Sequence, residues 1–291
     1  MAVVNAPSPT FSMVVTCYKR ERYVAAALRS ASLAQEFARK RGVSSEVVLV
    51  ADLPSLAGLP LELVDGAVVN ERLPRVGDMI LRGAEAARGT WLAFLDDDDL
   101  FAPEKLVRLA ETIAEHPNAV YVHNRWRTFG TQHGIYRGWG TGVISPSGPL
   151  MIRSLIGLNA SSIAVRKDVL AHPRSRRALH NVVAVTDASL LWLALGFPRR
   201  ELVSLGDVLT FRRIHDSNTT LQYSVTRTPI AAQLRWMRDA SPTREARAMI
   251  QYRIDAMYPP SPRALLAAVR GLDRKLAVSW LAARFGRNWG W

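Results

Sequence analysis

Residues 86–106 read AARGTWLAFLDDDDLFAPEKL, and this stretch decides the fold. Trp91–Leu95 is a charge-free apolar run of strand length, suited to the interior of a sheet. Four consecutive carboxylates, Asp96–Asp99, follow it without a break. Pro103 then opens an amphipathic helix over Glu104–Glu115, in the first-turn position that proline favours. A strand that ends in acid and hands over to a helix is half of a βαβ unit.

The same order recurs towards the N-terminus. FSMVVT (Phe11–Thr16) reads as a buried strand, and in the following CYKRERYVAAALRSASLAQEFARK the residues Tyr23, Ala26, Ala27, Ser30 and Leu33 or Ala34 recur at helical spacing. SEVVLVAD (Ser45–Asp52) is a second buried strand that ends at a carboxylate, and a helix follows from Gly77 to Arg88. Beyond the opening stretch, AVYVHNRW (Ala119–Trp126) is the next strand. Strands that alternate with helices predict a doubly wound, mostly parallel α/β sheet with helices on both faces. Ligands of such sheets bind beyond the carboxyl ends of the strands. Three strands end there in polar groups: Thr16–Tyr18, Asp52 and Asp96–Asp99.

The second half is less regular. GWGTGVISPSGP (Gly138–Pro149) is a loop, ASSIAVRKDVL (Ala160–Leu170) a strand running into a helix, and VTDASLLWLAL a helix begun by Asp187. DVLTFRRIHDSNTT (Asp207–Thr220) is a strand leading into a polar loop, and the pattern beyond about residue 225 is helical. Between Arg263 and Phe285, Leu265, Val269, Leu272, Leu276 and Trp280 share one stripe, with Arg263, Arg270 and Arg274 opposite. That stripe suits a helix packed on its own domain, an interfacial helix on anionic lipid, or a dimerisation element.

The chain has 291 residues, 48% of them hydrophobic, which is enough for a full α/β core. A single cysteine, Cys17, excludes an intramolecular disulfide and any multi-cysteine metal site, and fits a reducing compartment. The apolar stretch Val182–Pro198 is broken by Asp187 and too short to cross about 30 Å of hydrocarbon. The opening MAVVNAPSPT has no basic n-region or apolar h-region, so the expected location is the cytoplasm, with the inner face of the plasma membrane open to a peripheral contact. The net charge of +13 is concentrated beyond residue 198, which carries 16 basic and 7 acidic residues. No nucleic-acid motif accompanies it, so no nucleic-acid partner is expected.

Two like charges about 6 Å apart repel by roughly 3 kcal/mol at an effective dielectric near 20. Asp96–Asp99 must therefore either lie in solvent, as a turn that caps the Pro103 helix, or bind a cation. Hard carboxylate oxygens suit Mg²⁺ or Mn²⁺, which in turn hold a diphosphate.

FSMVVTCYKRERYVAAALRSAS, EVVLVAD and AARGTWLAFLDDDDLFAPEKL together resemble glycosyltransferase family 2, over roughly residues 11–220. The resemblance implies the GT-A fold, with residues 1–10 flexible, a transferase domain over 11–224 and a basic helical extension over 225–291. Within the domain it implies a nucleotide-sugar-binding half (11–126) and an acceptor and catalytic half (127–224). It implies a nucleotide-diphospho-sugar donor, most simply a UDP-sugar, a divalent Mn²⁺ or Mg²⁺ and a glycan, lipid-linked or small-molecule acceptor, as in polysaccharide biosynthesis.

Residue by residue, the resemblance assigns Thr16, Cys17, Tyr18, Arg20, Asp52, Asp78 and Asp97 to the nucleotide. Asp98 falls at the metal-binding position of the DxD-type motif, with Asp96 and Asp99 as flanking ligands and His215 as a further one. Asp187 falls where the family has its catalytic base. Arg212 and Arg213 are candidates for phosphate contact, and Trp139, in its glycine-rich loop, for stacking on an acceptor sugar. Each has a plain structural alternative: a core-edge aromatic for Tyr18, a turn or helix cap for Asp52 and Asp187, a satisfied side chain for His215, edge-strand flanks for the arginines and a loop pin for Trp139. The sequence departs from the family at Thr186, where a Glu is usual, at Leu193, where an Arg is usual, and at Met79–Leu81, which leaves Asp78 and Arg82 as the nearby polar groups. A nucleotide-sugar-binding protein without turnover therefore stands as the alternative.

Overall fold

The computed structural model describes residues 10–18, 20–135, 141–144, 158–197, 200–216, 218 and 223–257. The first half runs β1 (Phe11–Tyr18), α1 (Val24–Arg39), β2 (Ser45–Asp52), β3 (Val68–Asn70), α2 (Val76–Ala86), β4 (Trp91–Asp96), β5 (Leu100–Phe101), α3 (Lys105–Glu115) and β6 (Ala119–Gly130). It continues through β7 (Gly134–Ile135), β8 (Gly142–Val143), β9 (Ile163–Arg166), α4 (Lys167–Ala171), α5 (Pro173–Leu179), α6 (Thr186–Leu195), β10 (Glu201–Ile214), α7 (Tyr223–Asp239) and α8 (Arg244–Met257).

One sheet holds all the strands, in the order β3-β2-β1-β4-β9-β6-β10-β5, with β7 on β6 and β8 on β10. β3, β2, β1 and β4 are parallel neighbours, as are β6 and β10. β9 is inserted antiparallel between β4 and β6. The strands bury side chains on both faces with a period of two. Val14, Val48, Val50, Leu92 and Phe94 face one core, shared with α2 and α6, and Met13, Val15, Leu49, Ala93 and Leu95 face the other, under α1 and α3.

A buried polar joint fixes the start of the parallel half. Glu46 accepts from Ser12 Oγ at 2.6 Å and from the Arg88 backbone N–H at 2.6 Å, while the Gly89 N–H donates to Ser12 Oγ at 2.8 Å. A Cβ on Gly89 would stand 2.5 Å from the Ser12 nitrogen, so only glycine lets this turn approach β1.

Three details depart from the sequence reading. Ala160–Ser162 forms a 3₁₀ turn rather than strand, because Asn159 accepts the Ser161 N–H and caps it. The helix carrying Asp187 starts one residue earlier, at Thr186. The stretch beyond residue 224 also shares the core: Ile230, Ala231, Leu234 and Met237 of α7 pack into the cluster that contains α6. Residues 258–291, with the basic helical stripe, lie outside the described residues. Among the described residues no helix is long and apolar enough to cross a membrane.

Candidate functional site

Parallel register brings the strand ends together. Thr16 pairs with Asp96 across β1 and β4, and Tyr18 pairs with Asp52 across β1 and β2. Thr16 Oγ1 donates to Asp96 Oδ1 at 3.4 Å. Tyr18 is 37% exposed, and one Asp52 oxygen is buried without a hydrogen-bond partner among the described residues. Cys17, expected at the nucleotide, points the other way. Strand alternation buries its thiol completely, and it donates to the Arg20 carbonyl. Burial, with Asp97 close by, pushes the thiol up to about 12, so Cys17 shapes the loop from beneath and offers no side chain to a ligand.

The acidic turn is not solvated: Asp97, Asp98 and Asp99 are 3%, 8% and 2% exposed. Nor does it cap α3, whose N-cap position is Glu104 without a side-chain bond. Its carboxylates are committed elsewhere. Arg20 Nη2 reaches Asp97 Oδ1 at 2.7 Å and Asp98 Oδ2 at 3.3 Å. The same Asp98 oxygen meets His215 Nε2 at 3.0 Å and Asn218 Nδ2 at 3.3 Å. Asp99 accepts from Asn159 Nδ2 and from the Arg213 backbone N–H, each at 3.0 Å. Burial raises Asp97 to about 7 against the pull of Arg20, and burial together with Asp98 raises Asp99 to about 6. Asp96 is raised as well, by burial first and its three neighbours next. Burial is the first cause for all three, and the neighbouring carboxylates add to it.

Behind it lies a residue that the sequence reading did not single out. Lys105 is fully buried, and its Nζ donates to Asn124 Oδ1 at 2.9 Å, the Ser161 carbonyl at 2.7 Å and Thr210 Oγ1 at 2.9 Å, with the Phe101 ring 4.1 Å away. Three acceptors match the three N–H bonds of an ammonium. Ser161 also accepts the Asp96 backbone N–H at 3.0 Å, so this network fixes the end of β4.

Of the phosphate candidates, Arg213 is sandwiched between Tyr23 and Phe129, at 4.5 and 4.4 Å from their ring centroids, and its Nε donates to the Asp98 carbonyl at 3.1 Å. Arg212 lies over Trp126 at 5.4 Å. Trp139 lies outside the described residues.

Asp187 sits inside the first turn of α6 rather than at its cap, and its Oδ1 accepts the Ala188 N–H at 2.8 Å. A carboxylate is favoured at this positive end of the helix. The cap position belongs to Val185, which is left-handed at φ 47°. For a β-branched residue that conformation costs on the order of 1–3 kcal/mol. Asp78, in the first turn of α2, pairs with His180 Nδ1 at 2.8 Å, and its second oxygen is buried without a partner among the described residues. The 3₁₀ turn of Ser161 packs against both β4 and α6, so one short segment separates the acidic turn from the Asp187 helix.

Among the described residues no group of three or more His, Cys, Asp or Glu side chains is arranged to hold a metal ion. The donors that do converge are one carboxylate oxygen of Asp98 and one imidazole nitrogen of His215. An oxygen and an imidazole together suit a divalent ion that draws its remaining ligands from water and phosphate.

Residues 68–171 match the family model for Glycosyl transferase family 2, a span that includes Asp78, the acidic turn, Lys105 and Ser161. Over that span the chain is similar to the family 2 glycosyltransferases. Thr16, Asp52, Asp187 and His215 lie outside the matched span and are joined to it by the sheet and its helices. An "Uncharacterized glycosyltransferase" of Haemophilus influenzae is 28% identical over 120 residues, covering 39% of this chain and 37% of that relative's length. Among solved structures, S. aureus TarS residues 1–349 superposes with a TM-score of 0.62 at 17% identity, over 94% of this chain and 78% of that one. The mannosyltransferase PcManGT from Pyrobaculum calidifontis, solved in complex with GDP-Man and Mn²⁺, gives 0.56 at 14% identity, over 97% and 87%. Both likenesses establish the fold, that of the GT-A glycosyltransferases.

Proposed function

We propose that the chain transfers a sugar from a nucleotide-diphospho-sugar, a UDP-sugar in the simplest case, to a hydroxyl of a glycan, lipid-linked or small-molecule acceptor. The observation that carries this reading is the meeting of Thr16, Asp52, Asp96–Asp99 and His215 at the carboxyl edge of the sheet in a chain similar to the family 2 glycosyltransferases. TarS has been solved with UDP and with UDP-GlcNAc, which supports a nucleotide-sugar donor.

In this reading Asp52 and Tyr18, side by side in register, receive the nucleoside, Tyr18 offering a ring face and Asp52 an acceptor oxygen for base or ribose. Asp98 and His215 would hold Mn²⁺ or Mg²⁺, which supplies positive charge for the leaving diphosphate. Arg20, already bridging Asp97 and Asp98, keeps the acidic turn folded around that position. Asp187 takes the proton of the acceptor hydroxyl as its oxygen attacks the anomeric carbon, so the configuration inverts.

The departures at Thr186 and Leu193 favour a second reading, a donor-binding protein without efficient turnover. Leu193 is buried in the core cluster, and no charged side chain stands there. Titration calorimetry with UDP, GDP and UDP-sugars, with and without Mn²⁺, tests donor class and metal need. UDP release from a bound UDP-sugar separates the two readings. No binding of any nucleotide would overturn both.

A further inference from the structure

One side chain from the C-terminal helices grips the peptide that leads into the Asp187 helix. Gln233 of α7 is 4% exposed, and its Oε1 accepts the backbone N–H groups of Val183 and Ala184, both at 2.9 Å. Its Nε2 donates to the Ala184 carbonyl at 2.8 Å and to Ser189 Oγ at 3.3 Å. A further contact runs from Nε2 to Met237 Sδ at 3.6 Å within α7. On the turn's other flank the Gly77 N–H donates to the Val182 carbonyl at 2.9 Å, which ties the segment to α2.

The residue that follows this grip is Val185, the one non-glycine residue with positive φ among the described residues. Its carbonyl is fixed by the N–H and the hydroxyl of Ser189, each at 3.1 Å. A β-branched residue leaves the left-handed region unless its surroundings forbid it, and here they do: Gln233 and Ser189 hold the peptides on both sides. Glycine adopts the same angles freely, so a turn required only to be left-handed would need no such clamp. Asp187 stands two residues further on. Any relaxation of Val185 rotates the first turn of α6 and swings that carboxylate.

We propose that Gln233 is a positioning residue for Asp187: it holds Val185 in the left-handed turn and so sets where the Asp187 carboxylate meets the acceptor hydroxyl. The inference rests on the reading of Asp187 as the base. In the step concerned the hydroxyl proton passes to the Asp187 carboxylate, the acceptor oxygen bonds to the anomeric carbon, and the bond from that carbon to the diphosphate oxygen breaks. Gln233 touches none of these atoms. It acts through geometry alone, and a displacement of about 1 Å is enough to lower turnover by about 100-fold. The C-terminal helix α7 is on this view part of the catalytic apparatus rather than an appendage.

The test uses the full chain, with UDP release from UDP-glucose and UDP-N-acetylglucosamine as the rate and calorimetric UDP binding with Mn²⁺ as the control. Gln233→Leu keeps the bulk and removes the grip. It should lower kcat by about 30-fold while UDP affinity stays within about twofold of wild type. Val185→Gly in the Gln233→Leu background should restore most of the lost kcat, because glycine keeps the turn without a clamp. Gln233→Leu should add no further loss to Asp187→Asn. Should Gln233→Leu fail to fold, Ser189→Ala removes one bond to the Val185 carbonyl at little cost in packing, and should show a smaller loss with the same rescue. An unchanged kcat, a parallel fall in UDP affinity, no rescue by glycine, or an equal loss in the Asp187→Asn background would each overturn the proposal. If wild type releases no UDP, or Asp187→Asn matches wild type, the reading of the base falls instead. An impaired Asp187→Asn beside a fully active Gln233→Leu removes only the role given to Gln233.

Discussion

His215 Nε2 stands 3.0 Å from Asp98 Oδ2, although 117 positions separate the two residues along the chain. β10 carries the histidine back to the acidic turn, and Asn218 closes the corner by accepting the His215 N–H at 2.6 Å and donating to the same Asp98 oxygen. Asp98→Ala removes the carboxylate of this donor pair. Loss of an outer-shell partner alone weakens metal binding by about 10–100-fold, so loss of a ligand should weaken Mn²⁺-dependent UDP binding by about 100-fold or more. His215→Ala should weaken it less, since Asp98 remains. Equal UDP affinity in Asp98→Ala and wild type, measured with Mn²⁺ present, would show that the metal sits elsewhere.

Asp52 ends β2 in register with Tyr18 and keeps one buried oxygen without a partner among the described residues. A ligand donor that satisfies it is worth about 1–3 kcal/mol, or roughly 10–100-fold in affinity. Asp52→Ala should therefore weaken uridine and UDP alike, with or without metal. A loss confined to the metal-dependent part of UDP binding would move Asp52 to the diphosphate side of the site.

Lys105→Met keeps the length and apolar stem of the side chain but removes three donors from Asn124, Ser161 and Thr210. Buried acceptors left short of a partner cost about 1–3 kcal/mol each, and some relax towards one another, so a total near 3 kcal/mol is expected in urea unfolding. UDP affinity should fall too, because Ser161 holds the Asp96 N–H. Wild-type stability in Lys105→Met would show that the network is dispensable.

His123 of β6 is buried and held neutral. Burial first, then the charge of Lys105, lowers it from 6.5 to about 3. The unfolded chain takes up a proton below pH 6.5 that the folded chain refuses, so the stability His123 contributes is complete above pH 6.5 and drains away as the pH falls towards 3. Asp97 and Asp99, raised to about 7 and 6, act in the opposite sense, favouring the fold at low pH and losing that contribution as the pH rises through those values. A comparison of wild type with His123→Gln isolates the histidine. Between pH 7.5 and 5.0 the variant should gain about 2 kcal/mol relative to wild type in chemical unfolding. A difference independent of pH would mean that His123 titrates normally in the fold.

What the sequence makes legible is local. Phe11–Thr16, Ser45–Asp52 and Trp91–Leu95 are apolar runs whose own composition makes them strands, and their polar last residues meet because parallel strands in register end together. The 3₁₀ turn at Ala160–Ser162 and the antiparallel β9 after it are harder to read, since ASSIAVR has strand composition and the Asn159 cap decides its start. Lys105 is illegible for a different reason. Its position in an amphipathic helix predicts solvent, and what buries it is a pocket assembled from Asn124, Ser161 and Thr210, the last 105 positions away. The left-handed Val185 has no composition signal either, because valine disfavours that conformation and the Gln233 side chain that grips the preceding peptides comes from about 50 positions away.

Asp187→Asn separates an enzyme from a binding protein. The Asp187 Oδ1 accepts the Ala188 N–H, and an asparagine oxygen makes the same bond, so the first turn of α6 should keep its geometry. The favourable charge at the helix N-terminus is lost, which costs about 0.3–1 kcal/mol and should lower the melting temperature only slightly. What the amide cannot do is accept a proton at neutral pH. If Asp187 is the base, UDP affinity should match wild type while transfer falls by about 10²–10⁴-fold. The loss should appear in kcat rather than KM for the donor, because the contacts proposed for the donor, at Asp52, Asp98 and His215, are untouched. Transfer that survives in Asp187→Asn at more than about a tenth of the wild-type rate would exclude general-base catalysis of the expected size. Inversion at the anomeric carbon, which depends on a base opposite the leaving diphosphate, would then need a different residue to support it.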